Sequence, residues 1–431
     1  MEIKFRIGHN TSERMPHDPC FFNDVPISSL GTEMAESHIA SNDFEFPLVI
    51  RGSKNSLFGY LSPRDPTLAF RMWRIGILIL ITWVPLLLLA IVSGHASHGI
   101  VDVPLLHDPG LYGRFLFVLP LLELAELIAA ASLTVQARQF LDSKLIPEQQ
   151  HSRFDATVTD VIQLRSSFTT EISIAILAFC LATTFRLFLF PESSSNWEVH
   201  ESVRSPAGWW YALISLPILF FFLLRWIWIY LLWSVFLFRV SRLDLQLSPT
   251  HPDHAGGLGF LGWGVASFSI VLMALSAMFS SGFYYEILHA EILHTKRSVY
   301  DFKYHMIVFV VIAIATLYAP LLVFFGRLSR CRFMGLLDFG SLVLRYDRKF
   351  EEKWIERKSA ESDESFLGSS DIQSLADIAS AYEHVNEMRL IPFDTKGFSV
   401  LIAAAVIPLI PLVATEVPLQ EILKKLAEMM V

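Results

Sequence analysis

Seven apolar stretches of 17 to 30 residues decide what this chain can become: Ile75–Gly94, Arg114–Ala137, Ile172–Phe190, Trp209–Phe238, Leu258–Phe283, Met306–Phe325 and Phe398–Ala414. Hydrocarbon offers no partner to a peptide N–H or C=O, so segments of this kind cross it as helices that satisfy their own backbone. At 1.5 Å of rise per residue, about 20 residues reach from one face to the other. The predicted class is therefore all-α: a polytopic helical membrane protein of about seven transmembrane helices. Composition enters only to confirm this, since 53% of the residues are apolar and 18% charged, and a soluble α/β enzyme has no need of such runs. The fourth stretch is too long for an upright span and is expected to tilt, to emerge as helix, or to bend at Pro217. The seventh, broken by Pro408 and Pro411, is expected to be kinked or re-entrant.

Lysine and arginine set the orientation, because basic loops stay on the cytoplasmic side. With the N-terminus inside, 25 basic residues fall on the cytoplasmic side and 7 on the other. That bias places the N-terminus in the cytoplasm. The first seventy residues hold no apolar stretch of signal-peptide type, so the first span is expected to act as its own signal. Cys20, Cys180 and Cys331 follow no metal or redox spacing and read as unpaired thiols. The net charge of −8 is spread over polar loops with no basic stripe, which argues against nucleic acid as a partner.

The cytoplasmic side is predicted to be a helical layer. Phe154, Val158, Val161, Ile162, Arg165 and Phe168 recur at helical spacing ahead of the third span, and Leu342, Tyr346, Phe350 and Trp354 do so after the sixth. Ser370 with Gln373 forms a capping box that opens a helix with Ile372, Leu375, Ala379, Tyr382 and Val385 on its apolar face. The expected division is a disordered N-terminal segment over 1–43, a membrane domain over 44–325, a cytoplasmic helical region over 326–396, and a last span with a C-terminal helix over 397–431.

Glu123 and Glu126, one helical turn apart in the second span, are the candidate binding or transport residues, because a carboxylate in hydrocarbon needs a partner or a wet cavity. Arg225, in the fourth span among Trp226, Trp228 and Tyr230, is their natural counter-charge. Arg186 lies near the outer end of span three, where it can reach the interface. The string His251-Pro-Asp253-His254-Ala-Gly256-Gly257 precedes the fifth span. Two imidazoles, a carboxylate and flexible backbone suit a divalent metal, an anion or a hinge, although His251, Asp253 and His254 alone cannot close a metal site. The structural alternative makes Pro252 and Asp253 a turn and helix cap. Glu286, His289, Glu291 and His294 repeat a Glu-x-x-His pattern on one segment, where the pairs diverge; this reads as a solvated interfacial helix. His95, His98 and His107, with Asp102 and Asp108, are too loosely spaced to specify a site. The sequence leaves the cofactor unknown.

Several strings resemble a family of uncharacterised multi-pass bacterial inner-membrane proteins: Trp83-Val-Pro-Leu, Leu119-Pro-Leu-Leu-Glu-Leu-Ala-Glu126, Leu216-Pro with Leu224-Arg-Trp226, Thr250-His-Pro-Asp-His-Ala-Gly-Gly-Leu-Gly-Phe-Leu261, and Gly368-Ser-Ser-Asp-Ile-Gln-Ser-Leu-Ala-Asp377 with Met388-Arg and Ile391-Pro-Phe393. The resemblance implies placement in the bacterial inner membrane and assigns no activity. It favours Glu126 over Glu123, whose position is often non-acidic in that family.

Three functional classes follow. A channel or small-solute transporter would use Glu123, Glu126 and Arg225 with the glycine-rich loop and the proline-broken last span. A membrane-embedded sensor or scaffold would present the helical layer to a cytoplasmic protein. A metal-dependent membrane enzyme would use His251, Asp253 and His254, but no nucleophile and base accompany them. The spans show no half-and-half repetition, which counts against an inverted-repeat transporter. The bilayer is the one obligatory partner, and a second copy of the chain is compatible with the pattern.

Overall fold

A computed structural model describes residues 68–97, 101–189, 195–200, 203–290, 298–356 and 370–414. The predicted N-terminal segment, His98, Glu291, His294, the acidic gap before Ser370 and the C-terminal helix beyond Ala414 lie outside them. Among the described residues, seven helices are long and apolar enough to cross a membrane. In chain order the helical elements are α1 (Arg71–Val92), α2 (Pro109–Asp142), α3 (His151–Ser166), α4 (Phe168–Leu187), α5 (Pro206–Val240), α6 (Gly259–Leu288), α7 (Val299–Tyr318), α8 (Phe325–Phe350), α9 (Ser370–Asn386) and α10 (Thr395–Val413). A two-residue hairpin pairs Val199–His200 with Val203–Arg204. The fold is a polytopic α-helical membrane protein, as the apolar runs require.

Prolines set the irregularities. Pro85 has no N–H to give the carbonyl of Ile81, and α1 breaks at Trp83 into Leu68–Thr82 and Val84–Val92. The freed groups find partners on α5: Trp210 Nε1 donates to Ile81 O at 3.1 Å and Ser215 Oγ to Thr82 O at 2.7 Å. Pro120 and Pro217 act alike in α2 and α5, where the turns above them widen into π-helix at Gly113–Val118 and Tyr211–Ser215. The bend expected at Pro217 is thus a π-turn just before it. In α10 the proline pair produces a 3₁₀ turn at Ile407–Leu409.

α2 and α5 share a pattern. Asp108-Pro109 precedes Leu119-Pro120 by eleven residues, and Ser205-Pro206 precedes Leu216-Pro217 by the same interval. Both helices open on a cap: Leu111 N donates to Asp108 Oδ1 and Gly208 N to Ser205 Oγ. The equivalent positions Arg114 and Tyr211, 97 residues apart, bond to one another at 2.6 Å. The likeness is confined to these two helix entrances and does not extend to matching halves of the chain.

The helical layer forms, with one adjustment. Phe154, Val158 and Val161 of α3 are buried, and Phe154 meets Phe140 and Phe236. Phe168 belongs to α4 instead, where it is exposed. α8 packs along α9, with Gly335 against Val385 and Tyr346 OH donating to Asp371 O. α9 is rotated from the predicted face: Val385 is buried, whereas Ile372 and Tyr382 are exposed. Contacts to Asp371 from Lys353 and Trp354 hold it in that rotation.

Candidate functional site

The two carboxylates of α2 are buried, Glu126 at 4% exposure and Glu123 at none, and both are met by arginines. Arg225 of α5 donates through Nη2 to Glu126 Oε1. Arg71 of α1 donates to Glu126 Oε2 at 3.4 Å and to the carbonyl of Glu123 at 3.3 Å. Arg74, one turn further along α1, places Nε 3.2 Å from Glu123 Oε1, an ion pair without hydrogen-bond alignment, while its Nη2 donates to Oε2 at 3.4 Å. Trp226 Nε1 donates to Leu122 O at 3.0 Å and braces the same turn. Glu126 is therefore a three-helix clamp: one carboxylate joins α1, α2 and α5. The space between Glu123, Glu126, Phe222, Arg225 and Trp226 is too narrow to admit a water molecule.

The depth of this layer differs from the mid-membrane placement that the sequence suggests. Arg71 stands in the first turn of the first helix, and from it to Val92 is about 30 Å, a whole hydrocarbon thickness. Arg165, at the end of α3 just before α4 begins, feels the same charges. Its burial and the neighbouring Arg225 pull it down to about 10, against the opposing pull of Glu126 and Glu171. The charges thus lie beside the first turn of α1 and the start of α4, where those apolar helices begin, and the long helices α2 and α5 carry on past them. Charged residues at that depth cost less than at mid-bilayer.

A second charged layer occupies the N-terminal end of α2 and α5. Asp108 Oδ2 accepts from Trp197 Nε1 at 3.0 Å. Glu198 Oε2 accepts from Arg186 Nε at 2.7 Å and from Arg204 Nη1 at 3.4 Å. Arg186 is buried and paired, so the expectation that it merely reaches the interface is corrected. Glu198 had no sequence signal, because it lies in a loop whose burial only the fold creates.

The glycine-rich loop is a turn built on Asp253. Its Oδ1 accepts from Ala255 N at 2.8 Å and Gly257 N at 3.1 Å, and its Oδ2 from Gly259 N, the first residue of α6, at 2.8 Å. Gly256 and Gly257 take φ of +66° and +96°, and His254 takes +51°, conformations that favour glycine and that few other residues adopt. His251 Nδ1 lies 2.8 Å from Asp253 Oδ1. His254 turns away toward α9, so His251, Asp253 and His254 do not converge. Among the described residues no three metal-ligating side chains are gathered. At the other end of α6, His289 is buried and bonds Tyr285 O at 3.0 Å, so the segment is partly packed and not simply solvated.

Burial works against the charge on Asp253, but the N–H bonds from Ala255, Gly259 and Gly257 and the contact with His251 outweigh it and hold the carboxyl below the usual aspartate range. A carboxyl lowered on folding adds stability above its unfolded pKa, and that stability is lost as pH falls through the folded value. Asp253→Ala is expected to cost about 1–2 kcal/mol near pH 7. Thermal melts against pH should show the gap from wild type closing below about pH 4.

The fold and its charge layers define the class: a multi-pass α-helical membrane protein with buried ion pairs midway along its central helices and at their N-terminal ends. No protein family, curated protein or solved structure matches the chain.

Proposed function

We propose that the protein is a membrane-embedded scaffold or sensor of the bacterial inner membrane, with its N-terminus in the cytoplasm and the α3, α8 and α9 layer offered to a cytoplasmic partner. One observation carries this reading: both carboxylates of α2 are held by arginines from other helices, in a space that admits no water. A solute path would need the opposite. The inner-membrane placement rests on the resemblance above, and the orientation on the 25 to 7 split of basic residues. Reconstituted vesicles supply the test. No proton or cation flux should exceed that of empty vesicles across imposed pH and ion gradients, and a flux abolished by Glu126→Gln would replace this reading with the transporter one.

Transport is the second reading because of a separate observation. α1 is broken at Trp83, α10 passes through a 3₁₀ turn, and α2 and α5 carry π-turns; discontinuous helices are what transporters build their sites from. For orientation, single cysteines in a cysteine-free chain should report opposite sides. Arg345→Cys on the exposed part of α8 should react with an impermeant maleimide only in inverted vesicles, and Leu106→Cys, at a position 43% exposed, only in intact cells. Reaction of both in one preparation would overturn the proposed topology.

A further inference from the structure

The charged layer around Glu126 holds more guanidiniums than carboxylates. Arg71 and Arg225 both pair with Glu126, and Arg74 pairs with Glu123. Arg165, at the end of α3, meets Arg225 as well as Glu126 and Glu171. Among the described residues that bring these groups together, four positive charges stand against three negative ones. The surplus is felt at Arg165, where burial and Arg225 outweigh both carboxylates and hold the guanidinium down to about 10. A guanidinium ordinarily stays charged far above that value, so the neighbouring Arg165 and Arg225 are short of an anion.

The position of the two arginines selects the anion. Arg165 is half-buried and stands three residues before Phe168, where α4 begins, and the Arg225 side chain keeps 20% of its surface exposed. Leu164 and Phe168, on either side of Arg165 in sequence, are exposed apolar side chains. α4 has 20 residues, about the number that crosses the hydrocarbon, so its first turn belongs at the edge of that slab, where phospholipid phosphates lie. Arginines suit a phosphate there, because each planar fork can give two parallel N–H donors to its oxygens. Basic pockets beside spanning helices are how membrane proteins hold anionic headgroups.

We propose that Arg165 and Arg225 hold the phosphodiester of an anionic phospholipid, whose acyl chains lie in the hydrocarbon beside α4 and Phe168. A headgroup with net negative charge supplies what the layer lacks. A zwitterionic one does not, because its own ammonium offsets the phosphate. The phosphate meets Arg225 on its exposed side, while Arg71 and Arg74 stay with the carboxylates of α2. The site goes beyond the scaffold reading and does not depend on it.

The experiment takes the delipidated full-length protein in a neutral detergent and follows its melting temperature against dioleoyl phosphatidylglycerol, dioleoyl phosphatidylcholine and inorganic phosphate. The anionic lipid should raise the melting temperature saturably, and native mass spectrometry should find one molecule retained per chain. Phosphatidylcholine should need at least about tenfold more, and inorganic phosphate at the same concentrations should have no effect. Arg165→Gln should raise the half-saturating concentration of the anionic lipid about tenfold, as expected for one lost charge-assisted contact. Arg239→Gln, further along α5 and paired with Asp160 at the surface, should leave it unchanged. If Arg165→Gln fails to fold, Arg165→Lys carries the same test, since it keeps the charge without the planar fork and should still weaken binding. Equal effects of the two lipids would overturn the proposal, as would a rise given by inorganic phosphate, wild-type affinity in the Arg165 variant, or the same loss in Arg239→Gln.

Discussion

Glu126→Gln is expected to destabilise the bundle by about 3–5 kcal/mol, the range for removing one partner of a buried ion pair. The neutral amide keeps the shape of the side chain but withdraws the one negative charge that Arg71 and Arg225 both bond. Two guanidiniums then share a site with no carboxylate charge between them, that of Arg71 almost fully buried. Unfolding free energies in mixed micelles should show the loss, and Arg225→Met added to Glu126→Gln should recover part of it by removing one of the stranded charges. Glu123→Gln should cost less, because its carboxylate pairs with Arg74 alone, whereas that of Glu126 pairs with both Arg71 and Arg225. A Glu126→Gln protein as stable as wild type would show that the three-helix clamp contributes nothing.

The next largest effect is expected at Gly262, where α6 meets the approach to α10. A Cβ there would lie 2.7 Å from Pro392 O and 2.9 Å from Asp394 N. Both are backbone atoms, so no side-chain rotation relieves the contact. Gly262→Val should lower stability by about 1–3 kcal/mol through overpacking and loosen α10 from α6, where Ser276 Oγ donates to Ala405 O at 2.5 Å. Limited proteolysis should then cut near Ile391–Lys396 faster than in wild type. Gly282→Ala makes the contrast: nothing lies within 4 Å of its Cβ position, and the variant should melt with wild type.

The spans were legible because hydrocarbon leaves the backbone one solution, and composition over some 20 residues reports it directly. The Glu126–Arg225 pair was legible for a related reason: opposite charges in neighbouring spans have few ways to be satisfied. Arg71 and Arg74 escaped notice because they precede the most apolar part of α1, so a sequence reading assigns them to the preceding polar segment. Only the packing of α1 on α2 shows them reaching the carboxylates. The role of Asp253 as the centre of a turn was legible from the surrounding glycines, but the direction of His254 was not, since it depends on a left-handed residue and on a helix more than a hundred positions later. The rotation of α9 was likewise beyond a periodicity argument. Its face is chosen by the glycine surface of α8 and by the grip of Lys353 and Trp354 on Asp371.

The broken first span also bears on how the chain is made. When α1 leaves the ribosome and enters the bilayer, Arg71 has no carboxylate and the carbonyl of Ile81 has no donor. The first partner is encoded 55 residues downstream and the second 129. Until α2 arrives, the arginines can only stretch back to the membrane surface. Until α5 arrives, a peptide oxygen in hydrocarbon stays unbonded at a cost of several kcal/mol. Helix one is thus inserted first but finished late, and a chain truncated between α2 and α5 would leave it as an incomplete part that membrane quality control can recognise.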